Sequence, residues 1–456
     1  MEKDLLKFPK RPFFTKGGVK APHRKNTAGC ESVILKDIPE VVIPMSQHIG
    51  APCKPVVGKG DKVYVGTVVG DTDAFVAAPV HSSVSGTVKD IVSITLPNGV
   101  VSEAVVIESD GQYEKDPDIT VPVINNREDF LKAVRASGLV GLGGAGFPAH
   151  VKLNVPEDKH IDTLLINCAE CEPYITSDHR EVIENSWAVM SGIFAVKDIL
   201  GVKRVIIGIE KNKPDAIKIL SDIADNKNAD PDDVVRVLAL KSSYPQGAEK
   251  VLIKACTGRV VPAGKLPSDV GCVVMNVTSV AFIANYLKTG MPLVSKRLTV
   301  DGSAIKNPQN VIVPIGTPVN KLIELCGGYK EECGKLLMGG PMMGISLFTD
   351  TAPVLKQNNA ILAFNVKDGS VDQGSACIRC GKCVSACPMG LEPCKLALAA
   401  KKKQIDVLKE YNAMSCMECG CCTFECPAKR YIVQSIRLGK ALLREEAKKE
   451  KGAVGK

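Results

Sequence analysis

Eighteen cysteines stand in a chain of 456 residues, and eight of them fall into two copies of one spacing. "CIRCGKCVSACP" places Cys377, Cys380, Cys383 and Cys387 at C-x2-C-x2-C-x3-C-P. "CMECGCCTFECP" repeats the pattern at Cys416, Cys419, Cys422 and Cys426. Three thiolates in a tight loop can meet one face of an iron–sulfur cubane, and the fourth, past a turn, points at the other cluster. The spacing therefore assigns Cys377, Cys380, Cys383 and Cys426 to one [4Fe–4S] cluster, and Cys416, Cys419, Cys422 and Cys387 to a second. The proline after each fourth cysteine keeps the loop from closing as regular helix. Zinc is the competing reading, but a zinc site needs four ligands and usually two CxxC pairs, not a third cysteine and a Cys-Pro twice over. Clusters of this kind carry single electrons and break no bonds, so no catalytic side chain is expected. The pair demands a donor and an acceptor. Cys394 and Cys421 gain no role from spacing and read as buried free thiols.

A second chemistry lies in "GLVGLGGAGFPAHVKLN", residues 138–154. Gly141, Gly143, Gly144 and Gly146 leave backbone N–H groups bare for an anion, and Lys152 adds a positive charge suited to a phosphate. A tight turn with no ligand has the same signature. The neighbouring "INCAECEPYITSDHR", residues 166–180, sharpens it, with Glu170, Glu172 and Asp178 following Asn167. Acids at the carboxyl end of a strand lie where α/β sheets bind nucleotides, and they can accept bonds from ribityl or ribose hydroxyls.

These residues need elements to hold them. "TLLIN" (163–167) and "KRVIIGIE" read as buried strands, and "REDFLKAVRASG" and residues 180–201 as helices. Strand–helix alternation over 126–290 implies a parallel sheet covered by helices. Residues 26–124 read as β, with short apolar runs between Gly, Asp and Pro turns, similar in pattern to a biotinyl/lipoyl barrel. Such carriers bear a modifiable lysine at a hairpin tip. Here the tip reads "DTDAFV" and has none, so a structural barrel is expected. Residues 291–360 read as a small β-rich module around one helix, and after residue 375 the chain is cysteine-rich and helical.

Composition limits the setting. Net charge is +8, but the nine Lys or Arg and three acids from Lys429 to Lys456 account for six of it. The rest is close to neutral, and no nucleic-acid partner is expected. The opening "MEKDLLKFPKRPFF" lacks the apolar core of an export signal, so the cysteines point to metal or redox use in a reducing compartment. No stretch reaches ~18 consecutive apolar residues. No transmembrane segment is expected.

"GLGGAGFPAHVK" resembles the glycine-rich flavin loop of the FMN-bearing subunit of respiratory complex I, and "NCAECEP" is similar to that subunit's acidic segment. "YPQGAE" (244–249) and "MNVTS" (275–279) parallel two further segments. The sequence departs from that pattern at Leu142, where the family has arginine, at Ala169, where it has aspartate, and at Tyr174, where it has glycine. With "FTKGGVKAPHRK" (14–25) ahead of a barrel, the order of modules resembles the C subunit of the Rnf electron transport complexes.

That resemblance implies a multidomain α/β plus β chain. Residues 1–125 would form a barrel-sandwich domain, 126–290 a Rossmann-like FMN/NAD domain, 291–362 an SLBB-type β-grasp module and 363–440 a helical two-[4Fe–4S] ferredoxin domain, with 441–456 a basic tail. It further implies FMN and NAD(H) held by Gly141, Gly143, Gly144, Gly146, Lys152, Asn167, Glu170, Glu172, Tyr174, Asp178, Tyr244, Gly247, Glu249 and Asn276. The implied setting is peripheral, on the cytoplasmic side of the cell membrane, bound to the other subunits of an Rnf-type complex. There, electrons would pass between NAD(H) and, through partner subunits, ferredoxin, coupled to Na+ or H+ translocation. Two other readings use the same parts. One is a soluble corrinoid reductase, which the barrel ahead of the flavin-type domain argues against. The other is a flavin-less relay scaffold, which Leu142, Ala169 and Tyr174 would suit.

Overall fold

The computed structural model describes residues 8–227 and 234–454. Its first module is a β-sandwich. One sheet joins β1 (Glu40–Pro44), β2 (Lys62–Val63), β3 (Gly86–Thr95) and β4 (Val101–Ser109) in the order β1-β4-β3-β2, and a second joins Lys54–Pro55, Val68–Asp71 and Val80–His81. Inward-facing Val41, Ile43, Val63, Val69, Val88 and Ile107 fill the space between them, as a period of two requires. The hairpin tip that lacks a lysine is docked onto the next module. Arg135 donates to both carboxylate oxygens of Asp71, at 3.2 and 2.8 Å, and to the Thr72 carbonyl.

The second module is a parallel sheet of β5 (Thr163–Cys168), β6 (Arg204–Glu210), β7 (Val234–Leu240) and β8 (Cys272–Asn276), in the order β7-β6-β5-β8. β6 is buried along its whole length, which explains its unbroken apolar run, since helices cover both faces. Those helices are α1 (Arg127–Ala136), α2 (Ala149–Leu153), α3 (Ser177–Leu200), α4 (Pro214–Lys227), α5 (Glu249–Thr257) and α6 (Val277–Thr289). Gly201 ends α3 in the left-handed conformation. Gly192 lets α3 approach α6 closely, because a Cβ there would fall 1.8 Å from the Val280 carbonyl oxygen.

The third module is a mixed sheet built on β9 (Ser295–Asp301), β10 (Gln309–Pro314), β11 (Cys333–Met338), β12 (Ile345–Ser346) and β13 (Ala360–Asn365), with helix α7 (Val319–Leu325). Its order is β10-β9-β13-β11-β12, and Val33–Ile34 from the N-terminal region pairs in parallel outside β10. The last module is helical: α8 (Lys382–Ser385), α9 (Pro393–Lys401), α10 (Ile405–Glu410), α11 (Cys421–Phe424) and α12 (Ile432–Val454). α12 runs without interruption across residue 441. Among the described residues no helix is long and apolar enough to cross a membrane.

The segment before the barrel straps these modules together. Phe13 N donates to Ala255 O (2.8 Å), Gly18 N to Ala386 O (2.9 Å), and Val19 and Tyr244 exchange both backbone bonds. Gly17, at φ +63°, presses so closely on Cys387 that a Cβ would fall 2.6 Å from its carbonyl carbon.

Candidate functional site

In the α/β module the strand order reverses between β5 and β8, since β6 and β7 continue on one side of β5 while β8 lies on the other. The crevice outside the carboxyl ends at such a point is where doubly wound sheets bind ligands. Asn167 of β5 and Asn276 of β8 stand side by side in the register there. Asn167 donates to Gly247 O (2.8 Å) and accepts from Ala169 N (3.1 Å). Asn276 caps α6 by accepting from Thr278 N and Ser279 N, and its amide donates to Asp178 (2.7 Å). Asp178 also accepts from the Thr278 hydroxyl (2.7 Å). Glu170 accepts from Asp178 N (2.8 Å), while its second oxygen is buried without a partner. Burial, followed by the Glu170 charge, pushes the Asp178 carboxyl up, against Lys296.

Two glycines are fixed by steric need. A Cβ on Gly143 would fall 2.3 Å from Asn276 Nδ2, and one on Gly247 would fall 2.2 Å from Ala169 O. Gly144 meets nothing within 4 Å. Gly141 N donates to Phe147 O (2.9 Å), and Gly146 O accepts from Ile49 N of the barrel. The structure thus gathers Gly143, Asn167, Glu170, Asp178, Gly247 and Asn276 at the switch point.

Other residues singled out in the sequence are engaged elsewhere. Lys152 donates to Glu249 (2.8 Å) and to Val274 O (3.1 Å), so its charge is already met by a carboxylate. Leu142 is 1% exposed and part of the core, which accounts for an apolar residue inside the glycine run. Tyr174, at φ +71°, packs edge-on against Phe364 of the third module, with ring centroids 5.4 Å apart. Glu172 accepts from Met342 N (3.0 Å) and Met343 N (2.9 Å), both in the turn between β11 and β12. Burial pushes its carboxyl up to about 7. Tyr244 is buried and its hydroxyl donates to Cys419 O (2.7 Å), so it joins the α/β module to the second cysteine motif.

The cysteine repeat is also a backbone repeat. Arg379 and Glu418, Gly381 and Gly420, and Gly390 and Lys429 all have positive φ. In each motif the second position of this series, a glycine, starts one helical turn, α8 or α11, that carries the third cysteine. The two halves therefore follow the same backbone course, although Cys377 and Cys380 are exposed where Cys416 is half-buried and Cys419 buried. Cys387, Cys416, Cys419 and Cys422 line one small cavity, walled by Leu391, Pro393, Val433 and Ile436. That is the set the spacing assigns to the second cluster. Leu391 N donates to Cys387 Sγ and Glu418 N to Cys416 Sγ, each at 3.4 Å, and bonds of this type tune a cluster's potential. Burial pushes Cys387, Cys416 and Cys422 up, Cys422 to about 12, so metal binding must displace their protons. Of the other set, Cys383 is buried, Cys426 half-buried, and Cys377 and Cys380 exposed. Among the described residues no three His, Cys, Asp or Glu side chains stand where they could hold one metal ion.

Spacing did not reveal four further residues. Cys421 lines the cavity, and Cys394 lies beside Cys383, whose thiol burial and this neighbour push up to about 11. Lys25 donates to the carbonyls of Glu170 (2.8 Å), Glu172 (2.9 Å) and Ile175, and burial holds its ammonium below the usual lysine range. Lys213, paired with buried Glu210 at 2.6 Å, also donates to the Glu170 carbonyl of that loop at 3.5 Å. Only Lys25 had a signal, its place in "FTKGGVKAPHRK".

Three family models match the chain: the Nuo51 FMN-binding domain over residues 134–285, the RnfC barrel sandwich hybrid domain over 13–112 and the SLBB domain over 297–346. The chain is 44% identical over 431 residues to the C subunit of the Na(+)-translocating ferredoxin:NAD(+) oxidoreductase complex of Acetobacterium woodii, covering 93% of this chain and 96% of that one. It is 43% identical over 443 residues to the proton-translocating counterpart of Clostridium ljungdahlii, covering 96% and 95%. The C subunit of the ion-translocating oxidoreductase complex of Rhodobacter capsulatus is 35% identical, covering 96% and 84%. Among solved structures, an NAD+-reducing [NiFe]-hydrogenase is similar at a TM-score of 0.49 and 17% identity, covering 70% of this chain and 63% of that one, which is too distant to bear on function.

Proposed function

The chain belongs to the family of C subunits of ion-translocating ferredoxin:NAD+ oxidoreductase complexes, and from that premise we propose that it carries electrons between a nicotinamide and two [4Fe–4S] clusters by way of FMN. It is a peripheral electron-transfer subunit of a membrane-bound complex, and we assign it to the cytoplasmic face. The observation that carries the reading is one of adjacency. The cavity lined by Cys387, Cys416, Cys419 and Cys422 abuts the flavin-type module through the Tyr244–Cys419 bond.

The second cysteine set and the switch point fit the groups they would hold. Four thiols converge on an apolar cavity with backbone N–H groups directed at two of the sulfurs. At the switch point, Gly143 and Gly247 keep the backbone bare, and the free Glu170 oxygen is a buried acceptor with no protein donor. Bound FMN would supply the exchange between two-electron hydride chemistry and one-electron cluster chemistry. The chain's part is to hold and orient. Asn276 and Thr278 fix the Asp178 carboxylate, Lys25 shapes the acidic loop, and the Gly17–Val19 strap presses the Cys387 turn onto the α/β module.

The test is an anaerobic spectrum and cofactor count on reconstituted protein, followed by NADH titration. About eight irons per chain, two cubanes' worth, with FMN that NADH bleaches, is the expected result. Iron at that level with no flavin and no response to NADH would overturn the flavin role and leave a relay scaffold.

A further inference from the structure

We infer that Glu172 is a positioning residue of the electron route: its carboxylate clasps the Gly339–Gly344 turn of the β-grasp sheet against the ligand loop of the second cysteine motif, instead of meeting the dinucleotide. Both carboxylate oxygens are used, one by Met342 N and one by Met343 N. Gly340 completes the seat, because a Cβ there would fall 2.3 Å from Glu172 Oε2. The same turn meets the cysteine loop on its other side. A Cβ on Gly420, next to Cys419, would fall 2.9 Å from Met342 O. Met342 also packs into one apolar cluster with Cys171, Tyr244, Met417, Cys419 and Cys421. One six-residue turn therefore touches the acidic loop of the α/β module and the loop that lines the cluster cavity, and Glu172 is the side chain that fixes it. Electron transfer falls steeply with distance, so a turn that sets this spacing acts on the rate of that step and not on nicotinamide binding.

The inference rests on the proposed roles of the α/β module and the cysteine loop, and the test separates its failure from theirs. Gly340→Ala places a methyl group where the carboxylate lies. With iron and flavin counted first, two rates are read: bleaching of flavin by NADH, and arrival of electrons at the clusters by their paramagnetic signal. Losing one hydrogen bond should weaken the clasp by up to about tenfold. The expected result is unchanged bleaching, cluster reduction slowed by about that factor, and recovery when Glu172→Asp shortens the side chain in the same protein. Cluster reduction at the wild-type rate would overturn the inference. So would equal slowing of both rates with weaker NADH binding, which would return Glu172 to the dinucleotide. If Gly340→Ala loses iron or flavin, Glu172→Ala, which removes both acceptors, is read in the same way. Amide exchange at Met342 and Met343 is measured on the same samples. It must rise in either variant even if the wild-type chain holds no flavin, and protection unchanged there would refute the clasp directly.

Discussion

The Glu172 clasp carries a pH signature that can be worked from the structure. Burial raises this carboxyl from 4.5 to about 7, against the pull of the Met342 and Met343 N–H groups and the Lys25 charge. Tyr244, Cys171 and Cys419 also face it. Opening the turn returns the carboxylate to water and its ordinary value. Between pH 4.5 and 7 the closed state thus holds more protons than the open one, so closure is strongest at low pH and weakens as pH rises through 7. The whole shift corresponds to about 3 kcal/mol at most, and the part between pH 5.5 and 8 to about 2 kcal/mol. Amide exchange at Met342 and Met343 measures this opening locally. After correction for intrinsic exchange, the opening constant should rise more than tenfold from pH 5.5 to 8 in the wild type. In Glu172→Gln it should stay flat. A flat wild-type profile, or closure that tightens with rising pH, would show that the two N–H bonds outweigh desolvation and would refute the reasoning.

Lys25→Met should leave three buried carbonyls of the acidic loop without their donor. At about 1–3 kcal/mol for each unsatisfied group, the loop should loosen and FMN retention, read by fluorescence of released flavin, should fall. Cys387→Ala and Cys416→Ala should each remove the same cluster, lowering the iron count by about four per chain. Cys394→Ala should leave the count unchanged. Lys356 is buried at the junction of three modules and held by Pro79 O (2.6 Å) and Gly138 O (2.7 Å). Burial lowers it to about 7, so from pH 7 to 10.5 the unfolded chain binds the extra proton and stability rises with pH. The wild-type thermal midpoint should therefore climb from pH 7 to 9, by up to about 3 kcal/mol of stability, whereas Lys356→Met should show no such climb.

What could be read in the sequence was local. The cysteine repeat declares itself because ligation needs fixed spacing within one loop, and the backbone repeats where the letters do, down to the paired positive φ at Arg379 and Glu418. The α/β module was legible because β6 is buried throughout and so is written as a continuous apolar run. The direction in which individual side chains point was not legible. Glu172 and Glu170 are two residues apart in one acidic segment, yet Glu170 stays at the switch point and Glu172 turns to a loop 170 positions away. Lys152 has the spacing of a phosphate ligand, but its charge is met by Glu249. Tyr174 replaces a family glycine and has a positive φ, with its ring carried off to Phe364. Each outcome is decided by a contact between separate segments, and no periodicity within one segment encodes it.

Another set of contacts between modules shares a chemistry that suits a wire. Separate modules, each with its own core, would be expected to shift against one another, which an electron path of fixed length cannot tolerate. Beside ion pairs such as Arg135–Asp71 and Arg297–Glu181, three of the pins are donors seated on main-chain carbonyls. Lys25 binds three in the acidic loop, Lys356 two from the barrel and the α/β module, and Tyr244 one at Cys419. A carbonyl is held by the backbone of its own module, so such a bond has rotatable side-chain bonds on one side only. An ion pair between two long side chains would have them on both. The cost is an ammonium buried with no carboxylate bonded to it, visible in the lowered Lys25 and Lys356. The N-terminal strap follows the same logic. It meets the last module through backbone bonds at Gly18 and through the bare Cα of Gly17. The cysteine motifs near one end of the chain are thereby held against the flavin-type module by residues from the other end.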